Sequence, residues 1–295
     1  MNRRIMVLTA VFILSIFYLS SSAMAGEWVP AGTDQPGFHI MGVTLSGDGA
    51  YGALAGDGGM ILLNEKGDEL WRTPHGRYRS VSLSGDGAIL VAGGDGIHVM
   101  HNNGTVLATV QSKNFLNDVA VTADGSRIVA VADDETLRIY NITGNLLQSV
   151  DTGDDLVSVV ISPDGTYIAG GTDTGNVVLF SAGGDERWTY GLSRKPVTSV
   201  AIAEGARTIA AASEDGAVVL LSRAGSLLWT GSAAHSGGVA VTADGDVAAV
   251  ADLQGIRFIE RDGTPAGLIP DVDASVSLAM DRDGTVVAVT DGARI

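Results

Sequence analysis

Two short clusters of basic residues stand out in a sequence that is otherwise acidic. Arg77 and Arg79 lie in the stretch PHGRYRS, and Arg194 and Lys195 lie in LSRKPV, whereas the whole chain has 18 Lys and Arg against 34 Asp and Glu. Guanidinium and ammonium groups bind carboxylates and phosphates through charge-assisted hydrogen bonds. In a chain with a formal net charge of −16, such clusters favour an anionic group at a defined place. The same net charge excludes nucleic acid as an expected partner, because its recognition needs a basic surface.

Motifs for catalysis and for metal binding are not found in the sequence. It contains no G-x-S-x-G, H-E-x-x-H or P-loop pattern, and it has no cysteine for a thiol nucleophile or a thiolate site. His98 and His101 are close in sequence but differ in parity along a strand, so they point to opposite faces. We therefore expect no catalytic residue, no metal site and no cofactor.

The first 25 residues have the pattern of a secretory signal peptide. Arg3 and Arg4 precede an apolar run from Ile5 to Leu19, and the stretch ends in Ala23-Met24-Ala25. Signal peptidase cleaves after small residues in this A-x-A arrangement. The pattern predicts an extracytoplasmic protein, secreted, periplasmic or at the cell surface, with no membrane span left after cleavage. The alternative is that the apolar run stays as an uncleaved membrane anchor.

The rest of the chain repeats with a period of 38 to 41 residues. Seven apolar positions mark the repeat, each three residues before a turn, and six of the seven turns are Asp-Gly. The marker residues are Leu45, Leu83, Val121, Ile161, Ile202, Val241 and Met280. Asp-Gly supplies the backbone conformations that tight hairpins require, so the aspartates are turn residues rather than calcium ligands. Each unit divides into four short runs rich in β-forming residues, with no helical periodicity.

Four antiparallel strands in about 40 residues are typical of one blade of a β-propeller. We therefore predict an all-β fold, a seven-bladed β-propeller of four-stranded antiparallel blades over residues 26–295. The predicted units begin near residues 42, 80, 118, 158, 199, 238 and 277. Small residues dominate the inner strands, which agrees with crowding at the axis of such a ring.

The two ends of the chain fit together in this prediction. The seventh unit stops at DGARI, residues 291–295, before its fourth strand, whereas Glu27-Trp28-Val29 resembles the Trp-containing fourth strands elsewhere. We expect the N-terminal segment to be the outermost strand of the last blade and to close the ring, because an open sheet edge leaves backbone groups unpaired. A truncated sequence is the alternative.

The repeats resemble two known families of propeller repeats. SPDGTYIAGGTDTGNVVLFS is similar to the core of a WD40-type repeat, and NVVLFSAGGDERW is similar to the end of a PQQ-type (quinoprotein-type) repeat. Trp71, Trp188 and Trp229 match the tryptophan of the PQQ-type repeat. The resemblance implies the architecture, and its PQQ-type part implies a quinone-dependent dehydrogenase as an alternative function. Fold alone does not fix function.

The connections between blades place the basic clusters at the mouth of the axial channel. Counting back three residues from the small residue that begins each inner strand gives one residue per blade: His39, Arg77, Phe115, Asp155, Pro196, His235 and Ala274. The predicted partner- or ligand-binding site consists of His39, Arg77, Arg79, Phe115, Arg194, Lys195 and His235. The alternative is that these loops are simply polar and variable.

Three functions are consistent with these features. The first is a non-catalytic scaffold that binds a protein or a small anionic ligand at the channel mouth, the second is a propeller enzyme, and the third is a structural component of the cell envelope. Two sequons, at Asn103 and Asn141, are candidate glycosylation sites on the opposite face.

Overall fold

The sequence folds into short antiparallel strands arranged as blades around an axis. The computed structural model describes residues 37–233, 238–252, 255–270 and 277–290, together with the backbone of two strands nearer the N-terminus, β1 (Leu14–Tyr18) and β2 (Val29–Pro30). In the described part of the chain the only helical element is a 3-10 turn, Glu204–Ala206, and no helix there is long and apolar enough to cross a membrane. This turn replaces the Asp-Gly turn that the fifth unit lacks.

Six blades are each built from four consecutive strands. The first three consist of β3 (Ile40–Leu45), β4 (Tyr51–Gly56), β5 (Gly59–Asn64) and β6 (Glu69–Arg72); β7 (Tyr78–Leu83), β8 (Ile89–Gly94), β9 (Gly96–His101) and β10 (Val106–Gln111); and β11 (Leu116–Val121), β12 (Arg127–Ala132), β13 (Thr136–Asn141) and β14 (Leu146–Asp151). The next three consist of β15 (Leu156–Ile161), β16 (Tyr167–Thr172), β17 (Asn176–Ser181) and β18 (Glu186–Gly191); β19 (Val197–Ile202), β20 (Thr208–Ser213), β21 (Ala217–Ser222) and β22 (Leu227–Ser232); and β23 (Val239–Val241), β24 (Val247–Asp252), β25 (Gly255–Glu260) and β26 (Pro265–Pro270). The all-β propeller of four-stranded antiparallel blades is confirmed.

The prediction of seven such blades is wrong, because the last unit contributes only β27 (Ser277–Met280) and β28 (Val286–Thr290). These two strands lie in a sheet of the order β2-β1-β28-β27. We expected residues 291–295 to begin the third strand and Glu27-Trp28-Val29 to close the ring beside it. Instead β28 pairs with β1, and β2 is a two-residue strand on the far side of β1. An apolar β-forming segment thus covers the edge of β28, whose backbone groups need partners. Residues 291–295, Glu27 and Trp28 lie outside the described residues.

Apolar side chains pack between neighbouring sheets rather than within one central core. Each cluster of buried residues joins two adjacent units; one cluster combines Ile40 and Leu54 of the first blade with Val286 and Ala288 of β28. Another joins the sixth blade to the same C-terminal unit. The backbone N–H of Arg282 also donates to the carbonyl of Gly47, at 3.0 Å, from the turn after β27 to the turn after β3. The C-terminal unit therefore occupies the place between the sixth and the first blade.

Tryptophans of the outer strands fasten neighbouring blades together. Trp71 donates from Nε1 to the carbonyl of Asn102 at 2.7 Å, and Trp188 donates to the carbonyl of Arg223 at 2.9 Å, each time into the third turn of the next blade. The glycine of that turn allows the close approach, because a Cβ at Gly225 would lie 3.1 Å from the indole of Trp188. These contacts explain the Gly and Trp of the repeat as a packing pair between blades.

Replacing Trp188 should weaken the contact between the fourth and fifth blades. We expect Trp188→Ala to lower the free energy of unfolding by about 2 kcal/mol or more, because the side chain is half-buried and leaves a gap. Trp188→Phe should lose about 1 kcal/mol, because the carbonyl of Arg223 loses its donor. Urea unfolding measures both. The control Thr189→Ala, at an exposed position of the same strand, should change little, and equal midpoints for all variants would contradict this role.

Candidate binding site

The residue that lines the axis in each inner strand is small, with one exception. The innermost strands form the wall of an axial channel of about 420 Å³. At Gly42 a Cβ would come within 3.2 Å of the carbonyl oxygen of Arg79, and at Gly238 within 2.6 Å of the backbone nitrogen of Leu278. Four units have serine at this position, and the third blade has Asp118. Asp118 is therefore the only carboxylate at this level of the described channel wall.

Asp118 bridges three blades. Its Oδ1 accepts the hydroxyl of Ser80 of the second blade at 2.5 Å and the N–H of Val119 at 2.9 Å, and its Oδ2 accepts the N–H of Val159 of the fourth blade at 2.7 Å. Desolvation raises the pKa of Asp118 to about 6, against the hydrogen bonds from Ser80, Val159 and Val119 and the positive charge of Arg79, which all lower it. Asp118 as a whole residue is half-buried, because it faces the channel. Its carboxylate, however, is enclosed by protein atoms.

The elevated pKa of Asp118 makes a pH dependence of stability testable. The folded protein holds this proton more tightly than the unfolded chain, whose reference pKa is 3.8, so stability falls as the pH rises between about 4 and 6. Between pH 4 and pH 6 we expect the free energy of unfolding of Asp118→Asn to rise by about 2 kcal/mol relative to that of the wild type. At low pH the variant should start from a lower stability, because one backbone N–H that donates to Asp118 then faces the NH2 group of an amide. Urea unfolding at pH 4, 5, 6 and 7 measures the difference. Asp68→Asn, at an exposed turn, is the control, and a difference independent of pH would contradict the assignment.

Each inner strand of the first five blades has a β-bulge immediately before the axial position. The register shifts fall on five residues, and a bulge re-aims the side chain of the extra residue. These residues are Met41, Arg79, Asn117, Val157 and Thr198. All five line the channel. Arg79 is among the predicted site residues, whereas Asn117, Asp118 and Met41 are not, because alternation along a strand does not reveal a bulge.

Four of the predicted site residues meet in one cavity at the channel mouth. The cavity has a volume of about 430 Å³ and is lined by His39, Met41, Asp57, Arg77, Arg79 and Phe115. The connections that carry His39 and Arg77 approach the second strands of the blades they lead into very closely: a Cβ at Gly56 or at Gly94 would lie 2.0 Å from the carbonyl oxygen of His39 or of Arg77. Glycine at the end of β4 and of β8 therefore permits this arrangement.

Hydrogen bonds and one cation–π contact orient the basic side chains. The guanidinium of Arg77 lies 5.5 Å from the centre of the Phe115 ring, and Nη1 of Arg79 donates to Oδ1 of Asn117 at 3.0 Å. Asn117 is buried and donates in turn to Oδ1 of Asp133 at 2.6 Å. Both arginines are exposed, whereas Tyr78 between them is buried and contacts His98 edge to face. Arg77 and Arg79 thus line the cavity, whereas Tyr78 packs in the core between the first two blades.

The other predicted basic residues belong to a separate part of the mouth. Arg194 and Lys195 are exposed in the connection to the fifth blade and do not line the cavity. The connection to the fourth blade lies between them and Arg77 around the ring, and it contains Asp154 and Asp155. Burial and these two carboxylates raise the pKa of Asp173 nearby. The basic residues thus form two groups divided by an acidic segment, and His235 lies outside the described residues.

The remaining candidate residues have structural partners in their turns. Asn103 accepts the N–H of Thr105 at 2.9 Å, and Asn141 accepts those of Thr143 and Asn145 at 3.1 and 2.9 Å, so both asparagines shape the third turns of their blades. The first-turn aspartates do likewise; Asp124 accepts the hydroxyl of Thr122 at 2.6 Å. Within the described residues, no group of three His, Asp or Glu side chains is arranged to hold a metal ion. Glycosylation of Asn103 and Asn141 stays a prediction.

The repeated four-stranded blades around an axial channel define a β-propeller with PQQ-like repeats. Residues 56–212, slightly more than half of the chain, match the family described as outer membrane protein assembly factor BamB. The chain belongs to this PQQ-like, BamB-type family, so the predicted resemblance to PQQ-type repeats is confirmed. The match extends from the end of β4 into β20 and includes Arg77, Arg79, Phe115 and Asp118. No curated protein matches the chain closely enough for comparison.

Proposed function

We propose that this protein is a non-catalytic scaffold of the cell envelope that binds a protein partner at the mouth of its channel. The family description, an outer membrane protein assembly factor, supports a role in the envelope and in contacts with other proteins. The observation that carries the site is the cavity where Arg77 and Arg79 meet His39 and Phe115. A basic pocket on an acidic protein attracts a negatively charged group and repels it elsewhere, which selects its orientation.

We infer that the partner contacts the half of the mouth that contains this cavity. Arg77 and Arg79 come from the second blade and face a wall from the first and third blades, so a partner is held by three blades at once. Arg194 and Lys195 lie beyond the acidic connection of the fourth blade and are secondary contacts at most. A small anionic ligand in the same cavity is the alternative, and it would compete with the protein partner.

Removing the two arginines of the cavity should abolish partner capture. In an envelope fraction, we expect the double variant Arg77→Ser, Arg79→Ser to cross-link at least tenfold less partner protein than the exported wild-type chain does. The reason is that charged groups at an interface give both orientation and affinity. Quantitative mass spectrometry of the cross-linked partners measures this. Circular dichroism should show an unchanged fold, because exposed substitutions change stability by only about 0.5 kcal/mol.

Two double variants with the same charge change are the controls. Arg194→Ser with Lys195→Ser tests the other basic group, and Lys66→Ser with Arg187→Ser tests exposed residues away from the mouth. Both should retain most of the capture. Undiminished capture by the Arg77 and Arg79 variant would reject the cavity as the docking site, and equal losses in all three variants would indicate a general effect of charge.

The export of the protein is a further part of the proposal. Residues 1–25 act as a signal peptide, and the mature chain begins at Gly26. N-terminal sequencing of the exported protein should begin GEWVP, because the A-x-A pattern ends at Ala25. Recovery of peptides from Met6 to Ala25 in the exported protein would contradict it.

A further inference from the structure

The two arginines of the cavity form no direct ion pair, unlike four other arginines of the protein. Arg138 pairs with Asp134 at 2.6 Å and Arg282 with Glu204 at 2.9 Å, while Arg72 and Arg207 also pair with acids, Glu69 and Asp246. Neither Arg77 nor Arg79 forms such a pair with any carboxylate in the described part of the chain. In a chain of net charge −16, two guanidinium groups that line one cavity and form no direct ion pair favour an incoming anion.

The walls of the cavity indicate what kind of anion fits. Phe115 and Met41 supply apolar surface beside the guanidinium groups, which suits a charged group on an apolar stem. Asp57 lines the same cavity, and Asp118 lines the channel wall together with Arg79. These two acids disfavour a phosphate group, which has a charge between about −1.5 and −2. A carboxylate has a single charge and matches the planar fork of arginine.

We propose that the cavity formed by Arg77, Arg79 and Phe115 is a receptor for a single carboxylate group of a peptide. This inference rests on the proposed function, because it names the chemistry by which the partner is held at the mouth. The guanidinium groups bind the carboxylate oxygens, and Phe115 and Met41 contact the carbon atoms that precede them. The carboxylate belongs either to an acidic side chain or to the end of a chain.

The position of Asp118 gives this site a second, independent property. Asp118 and the bound carboxylate compete for the positive charge of Arg79, so loss of the Asp118 charge strengthens binding. The other titratable groups facing the cavity are His39 and Asp57. Asp57 accepts the backbone N–H of His39 at 3.0 Å. Comparison with Asp118→Asn separates the contribution of Asp118 from that of the other two.

Three peptides that carry no charge apart from the carboxylate under test decide the proposal. The first has one internal Glu beside Leu and an amidated end, the second has Gln in place of Glu, and the third has Gln and a free C-terminal carboxylate. Isothermal titration with the exported chain at pH 7 and low salt should show at least tenfold tighter binding of the first or the third peptide than of the second. The peptide that binds identifies the source of the carboxylate.

Variants and a competitor decide whether the cavity is responsible. Arg79→Gln and Arg77→Gln should each weaken carboxylate binding about tenfold, while Arg187→Gln should not. Asp118→Asn should bind more tightly at pH 7 and should show a smaller gain on acidification to pH 5.5 than the wild type does. Equal binding of all three peptides, or displacement by inorganic phosphate at a lower concentration than by acetate, would overturn the proposal. If partner capture still depended on Arg77 and Arg79 in that case, the proposed docking site would be retained and only the carboxylate as its ligand would be rejected.

Discussion

Crowding at the axis is the constraint on which the rest of the structure depends. The innermost strands of successive blades approach until a side-chain carbon at Gly42 or Gly238 would touch the neighbouring backbone. Serine fits because its hydroxyl joins the backbone of the next blade, as Ser158 does by donating to the carbonyl of Val197 at 2.8 Å. Asp118 fits because each of its oxygens accepts donors from the surrounding blades. The axial positions therefore form a ring of small residues with one carboxylate, Asp118.

The geometry of the channel mouth depends on this ring. A bulge precedes the axial residue and turns Arg79 and Asn117 toward the channel. Gly94 lets the connection that contains Arg77 pass close to the end of β8. The basic side of the mouth is thus built by the first three blades, and the fourth blade makes the next part acidic. Repeats of nearly the same sequence produce an asymmetric surface because only their connections differ. A propeller in this family can place one specific pocket on an otherwise regular ring.

Repetition made most of the fold predictable, and local irregularity made part of the site unpredictable. The period of the marker residues and the Asp-Gly turns specify four-stranded blades, since each signal recurs along the chain. The grouping of His39, Arg77 and Phe115 followed from counting back from the axial position. Three other features depend on contacts between distant segments, which no single repeat displays: the bulge at Asn117, the role of Asp118 as a bridge and the pairing of β28 with β1.

The most direct test of the account is photo-cross-linking from single positions in the living envelope. A photoreactive amino acid at His75 or Lys113, both exposed in connections beside the cavity, should give a covalent adduct with a protein partner. The same residue at Glu65, exposed in a turn on the opposite face, should give none. Adducts from Glu65 but not from His75 or Lys113 would contradict the claim that the partner docks at the channel mouth.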